Sequence, residues 1–333
     1  MKHRSLFALL SLFACMLALS ACGDDEEDSG NDAGAPAAET QPADAGSGAG
    51  IVKNEANAKT TITVGSKNFT EQKILGEIYA QGLQAAGYTV KTELNLGDEK
   101  TAQKSLTSKA IDGYPEYTGT ALLSLCDVPT DDIPKDPAEA FTDTKECFAK
   151  DGLTAYEPTP FTSSNEVGVK ESVAKKLGLT RISDLSKVDQ DFTLYGSPEC
   201  RQRTDCLLGL EQTYGLKFKK FTPVAIDLRH QVLDKGENVA SIVFTTDPQN
   251  KRDKITLLED DKGMFPPYNS TFVVRDDVAK AAGADLPKTI EQVNKGLTDE
   301  VMQELNARVD LDKETPEAVA GQYLQESKLV GAS

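Results

Sequence analysis

The 333-residue chain sets 53 acidic against 36 basic side chains, with no tryptophan and two histidines, for a formal charge of −17. Such a balance excludes a basic face for nucleic acid. The scarcity of histidine leaves little room for histidine-dependent hydrolysis or a zinc centre.

In chain order, Lys2 and Arg4 precede an apolar stretch over 5–19 that is too short and wrongly flanked to span a membrane. It ends Leu19-Ser20-Ala21-Cys22, which resembles a bacterial lipobox. Residues 1–21 are therefore expected to form a lipoprotein signal peptide and Cys22 the lipid anchor; a plain signal peptide cleaved nearby is the alternative. Residues 22–60 begin with the acidic run Asp24-Asp25-Glu26-Glu27-Asp28, and Ala, Gly, Pro, Ser and Asp dominate through Gly50. With almost nothing apolar to bury, this stretch is expected to be a disordered acidic tether. Its nine acids against Lys53 and Lys59, with the two cations of the leader set aside, leave the portion from Thr61 at −12.

Once Cys15 leaves with the leader and Cys22 is lipidated, Cys126, Cys147, Cys200 and Cys206 remain. An even set in an exported chain points to disulfides. Three connectivities are open, and proximity along the chain favours Cys126–Cys147 and Cys200–Cys206. No metal site is expected, because the mature chain keeps only His230 and no close cysteine pair.

From Thr61 the pattern alternates. A strand over 61–65 leads to a helix over 71–86, with Ile74, Leu75, Ile78 and Leu83 at helical spacing. A strand over 88–94, a helix over 99–110, a short strand into Tyr114 and a helix from Thr118 follow. The same rhythm recurs over 167–259, with strands at 192–195 and 239–244 and a helix at 206–214; helices at 277–282, 290–305 and 316–329 close the chain. This alternation predicts α/β architecture. About 270 residues exceed what one core usually supports, which argues for two lobes.

Catalysis finds no support. No Gly-x-Ser-x-Gly elbow, Walker loop or dinucleotide fingerprint is present, and His230 is expected to be a surface or packing residue. Binding has better candidates. Lys67 falls where the first strand ends and a helix begins, the edge at which α/β sheets present ligand contacts. Tyr114-Pro115-Glu116-Tyr117-Thr118-Gly119-Thr120 places two rings before a helix start, a cation-attracting face next to anion-attracting groups. Tyr79, Tyr88 and Tyr214 read as packing residues, and Glu116 either orients a nearby cation or charges a helix start.

The run Val64-Gly65-Ser66-Lys67-Asn68-Phe69-Thr70-Glu71-Gln72, with Ile74-Leu75-Gly76, resembles the opening of the glycine betaine/choline/carnitine-binding proteins of osmoprotectant ABC importers. Asp112 with Tyr114–Thr120 resembles their second signature. Three later blocks are similar and in the family's order: Arg203-x-Asp205 before Tyr214-Gly215; Thr245-Thr246-Asp247 after an apolar strand; and Asp260-Asp261-Lys262 leading into Phe265-Pro266-Pro267-Tyr268. The likeness covers about 61–330. It implies an α/β, two-lobe periplasmic-binding-protein-like (type II) fold with an interlobe ligand cleft, lobe 1 comprising 61–166 plus 270–333 and lobe 2 167–269.

By position, the resemblance implies a carboxylate clamp of Lys67, Thr120 and Arg203, and an aromatic box including Tyr117, Phe244 and Tyr268. At Asn165 the family often has another tyrosine wall, and at Phe244 a tyrosine; the change at Asn165 leaves a betaine-type ligand or a more polar one as alternatives. The division suits the chemistry. A trimethylammonium group has no N–H to donate, while ring faces attract it; an arginine grips a carboxylate through parallel N–H bonds. The implied function is that of a lipid-anchored extracytoplasmic binding component, in the periplasm or at the cell surface. It needs no cofactor, takes a small zwitterionic or cationic ligand and delivers it to an ABC permease. A ligand-sensing role for the same fold is the alternative, and an enzyme is disfavoured.

Overall fold

The computed structural model describes residues 50–331, so the expected leader, Cys22 and the tether up to residue 49 lie outside the described residues. Ten strands form two five-stranded sheets. The first orders β2 (Thr89–Glu93), β1 (Thr61–Gly65), β3 (Gly113–Tyr117), β10 (Ser270–Arg275) and β4 (Leu153–Ala155) side by side. The second orders β7 (Lys220–Pro223), β6 (Thr193–Gly196), β8 (Val239–Phe244), β5 (Asn165–Lys170) and β9 (Ile255–Leu258). This is the two-lobe α/β arrangement implied by the sequence.

The two sheets share a logic. In each, three neighbouring strands are parallel: β2, β1 and β3 in one, β7, β6 and β8 in the other. Each then accepts an antiparallel strand, β10 or β5, which is the strand that enters from the other lobe. Parallel neighbours require a crossover connection, usually helical, whereas a chain returning from elsewhere is free to enter in the opposite direction. The chain therefore crosses twice, at 156–164 and at 259–269. The first crossing ends at Asn165, which already pairs with Phe244 in the second sheet, so the lobe boundary falls before Asn165 and not after 166.

Helix Thr70–Ala85 buries Ile74, Leu75, Ile78, Tyr79 and Leu83, the face expected from their spacing. It packs against three C-terminal helices, Asp285–Lys295, Asp299–Asp310 and Pro316–Glu326. The first two replace the single helix expected over 290–305. Gly296 ends one, and the Thr298 side chain accepts the Val301 N–H to cap the next, a local alternative that interrupts the apolar period. Residues 50–60, expected to be part of the tether, are held to the first lobe. Residues 55–59 form a helical turn, the Ile51 N–H donates to the Leu329 carbonyl, and Asn54 donates to Asp285. These polar contacts attach a segment that composition alone marks as unstructured.

Both favoured disulfides are present. Cys126–Cys147 ties the helical segment after β3 to helix Pro137–Lys150, and Cys200–Cys206 closes the loop that carries Arg203. Among the described residues no helix is long and apolar enough to cross a membrane. Phe272, fully buried on β10, packs tilted against Tyr79 with ring centroids 4.6 Å apart and joins the returning strand to helix Thr70–Ala85. Phe272→Ala should cost about 3–5 kcal/mol in urea denaturation, and a loss under about 1 kcal/mol would show that this contact does not anchor the strand.

Candidate ligand-binding site

One cleft of about 80 Å³ collects side chains from both lobes. A water molecule needs about 10–15 Å³ on this scale, so the space fits a small molecule and not a peptide or nucleotide. Its walls come from the C-terminal ends of the parallel strands, where such sheets present ligand contacts. Lys67 and Phe69 follow β1, Tyr117 and Thr120 end β3, Arg203 follows β6, Arg229 follows β7, and Phe244 ends β8. Asn165 begins β5, and Tyr268 lies on the return crossing. All seven residues expected to bind ligand, Lys67, Tyr117, Thr120, Asn165, Arg203, Phe244 and Tyr268, line this single cleft.

Two glycines permit the local geometry. A Cβ on Gly119 would come within 2.7 Å of the Pro267 carbonyl oxygen, so only glycine lets the end of β3 meet the crossing that carries Tyr268. A Cβ on Gly209 would lie 1.8 Å from the Thr204 carbonyl oxygen, which presses the Arg203 loop onto the following helix.

Each cation in the cleft has a buried counter-ion. Lys67 pairs with the fully buried Glu116, which also accepts from the Tyr114 hydroxyl at 3.0 Å and the Tyr117 N–H at 2.7 Å. Glu116 thus orients Lys67, and Tyr114 supports it from outside the cleft. The Arg203 Nε donates to Asp205 at 2.7 Å, its Nη1 to Glu99 at 2.9 Å and its Nη2 to the Thr120 hydroxyl at 3.5 Å. Because Glu99 and Thr120 belong to the first lobe and Arg203 to the second, these bonds span the cleft. Arg229 is paired with Asp247 and donates to the Ile226 carbonyl.

Rings complete the wall. Phe69 is stacked with Tyr117 at 6.2 Å and tilted against Phe244 at 5.5 Å. The Lys67 ammonium lies 4.6 Å from the Tyr117 centroid, and the Arg229 guanidinium 4.6 Å from that of Phe244. Both rings therefore present a face to positive charge. Asn165 lines the cleft with its amide held by polar partners: it donates to Asp205 at 3.1 Å and to the Tyr268 hydroxyl at 3.4 Å.

Residues 60–326 match the family described as the substrate binding domain of ABC-type glycine betaine transport systems. The chain belongs to this family. It is 34% identical to the glycine-betaine-binding protein of Pseudomonas aeruginosa over 81% of this chain and 89% of that one. It is 27% identical to the carnitine transport binding protein OpuCC of Listeria monocytogenes over 81% and 88%. Apo YehZ from Escherichia coli, at 27% identity, superposes with a TM-score of 0.58 over 81% of this chain and 99% of that one. A crystal structure titled as a glycine betaine/carnitine/choline ABC transporter has a TM-score of 0.66 over 80% and 99%; at 23% identity it supports the fold alone. These are transport binding proteins and not enzymes, and substrate-binding proteins of ABC importers act outside the cytoplasm.

Within this binding domain several lining residues escaped the sequence reading: Phe69, Glu99, Ser197, Glu199, Ile226 and Arg229. Phe69 stood inside the first signature, but its position beside the lysine gave no sign of which way the ring would turn. Arg229 lay in the stretch read only for His230. That histidine is buried, not on the surface, with Nε2 3.1 Å from Asn250, and burial lowers its pKa.

Titration follows the pairing. Burial pushes the Asp205 carboxyl up, but Arg203 and the Tyr268 hydroxyl bring it below the ordinary carboxylate range. Burial raises Glu71 despite hydrogen bonds that include the Tyr117 hydroxyl at 2.7 Å and the Asn306 amide at 2.9 Å. Burial also lifts the Tyr117 and Tyr268 hydroxyls well above their usual values, which keeps both as donors. For Asp205 the depressed folded pKa adds stability above the unfolded value near pH 3.9, lost as pH falls through the folded value. Asp205→Ala should therefore cost about 3 kcal/mol at pH 7, and the gap from the parent should narrow below about pH 4. A gap independent of pH in thermal melts would separate Asp205 from the stability of this pair.

Proposed function

We propose that this chain is the lipid-anchored, extracytoplasmic receptor of an ABC importer for small quaternary-ammonium solutes of the glycine betaine or choline type. The observation that carries this reading is the cleft itself: seven residues drawn from separate stretches converge with Phe69 on one space of small-molecule size, ring faces next to paired cations. The name of the P. aeruginosa relative supports the same ligand class.

Tyr117, Phe244, Tyr268 and Phe69 form the apolar side for a trimethylammonium head. Lys67, Thr120 and Arg203 supply donors, and Asn165 holds Tyr268 and Asp205 in place. The ligand touches both lobes, so its binding free energy favours the closed arrangement, which the permease then opens. No bond is made or broken. Cys22, at the end of Leu19-Ser20-Ala21-Cys22, carries the lipid; Cys22→Ser should move the protein from the membrane to the soluble fraction.

Calorimetric titration with glycine betaine, choline, carnitine and glycine tests the ligand class. At least one of the three methylated ligands should bind well, and glycine, which lacks the methyl groups, should bind at least about a hundredfold more weakly than the best of them. Tyr117→Leu should weaken that best ligand about tenfold, the value of one desolvated ring face. Glycine binding as tightly as the methylated ligands would sink the reading.

A further inference from the structure

Glu99 stands at the first position of helix Glu99–Thr107 in the first lobe, and Arg203 on the disulfide-closed loop of the second. Arg203 Nη1 donates to Glu99 Oε1 at 2.9 Å, and both side chains line the cleft, with Glu99 only 5% exposed. The same guanidinium is already held by Asp205. One cation thus faces two carboxylates, leaving a net negative charge at the place where a ligand carboxylate would be gripped. Lys67 and Arg229 do not offset it, because Glu116 and Asp247 neutralise them. Asp98 and Glu199, also in the lining, add to the negative field.

A ligand carboxylate that approaches Arg203 must displace Glu99 from Nη1 or sit beside its charge. Displacement breaks one bond between the lobes to make another, so much of the gain is lost. A quaternary cation that ends in a hydroxyl meets neither obstacle, and the surrounding carboxylates attract its ammonium group. Resting on the quaternary-ammonium reading above, we propose that Glu99 is a specificity-determining residue. It competes with the ligand's carboxylate for Arg203 and biases the cleft towards cations ending in a neutral group over zwitterions.

The test is calorimetry on Glu99→Gln with glycine betaine and choline, which share a trimethylammonium head and differ in carboxylate against hydroxyl. Glutamine keeps the size and an acceptor oxygen and removes the charge. Glycine betaine should tighten about tenfold while choline stays within twofold or weakens, moving the ratio of their Kd values by about tenfold or more towards betaine. Where the glutamine variant melts more than a few degrees lower, Glu99→Ala replaces it, with the same shift expected. A structural role would change both ligands alike; a ratio left in place, or moved towards choline, overturns the assignment of Glu99. A parent protein that binds neither ligand overturns this assignment, and one that fails to bind carnitine as well overturns the quaternary-ammonium reading with it.

Discussion

Arg203 stays charged inside the cleft because Asp205 grips it along one edge and Glu99 meets it from the opposite lobe. An isolated guanidinium at this depth would lack the water that normally solvates it, and an isolated Asp205 still more so. The pair therefore has to form as a unit, and much of the surrounding structure serves it. The Cys200–Cys206 bond closes the loop, Gly209 lets the Thr204 carbonyl approach the next helix, and Asn165 and Tyr268 both donate to Asp205 Oδ2. A similar arrangement recurs at Lys67 with Glu116 and at Arg229 with Asp247.

This pairing shapes recognition. A cleft with free cations would bind anions of many kinds. One whose cations are matched offers little net attraction for an anion and leaves selection to ring faces, donor direction and size. Tyr117 and Phe244 carry Lys67 and Arg229 on their faces, so the protein makes cation–ring contacts of its own at the cleft wall. The two lobes contribute unequally. Phe69, Tyr117 and Lys67 come from the first, next to its largest core; Arg203, Arg229 and Phe244 come from the second, on strand ends and short loops.

Closure has a physical basis in the same contacts. Arg203 joins Glu99 and Thr120 across the cleft, while Asn306 bridges Glu71 and the Thr246 carbonyl, and Gln249 donates to Asp310. These are polar bonds near two chain crossings, each modest in net terms. A binding protein benefits from that, since its closed arrangement must be favoured by ligand and yet reversible at the transporter.

The sequence by itself determined the α/β class, the helix that follows the first strand, the strand end before Lys67, the helix start at Thr118, and the family. These follow from periodicity and from short signatures whose residues are close in the chain. The seven residues it singled out line one cleft, because a signature records positions near strand ends even when the sheet is not yet assembled. Only the tertiary structure decided how the charges pair. Glu99 and Arg203 are more than a hundred positions apart, and Lys67 follows β1 while Glu116 lies on β3, so nothing local marks them as partners. The antiparallel entry of β5 and β10 and the attachment of residues 50–60 were hidden for the same reason. Each depends on contacts made across the fold, whereas composition and periodicity report only what neighbours in the chain prefer.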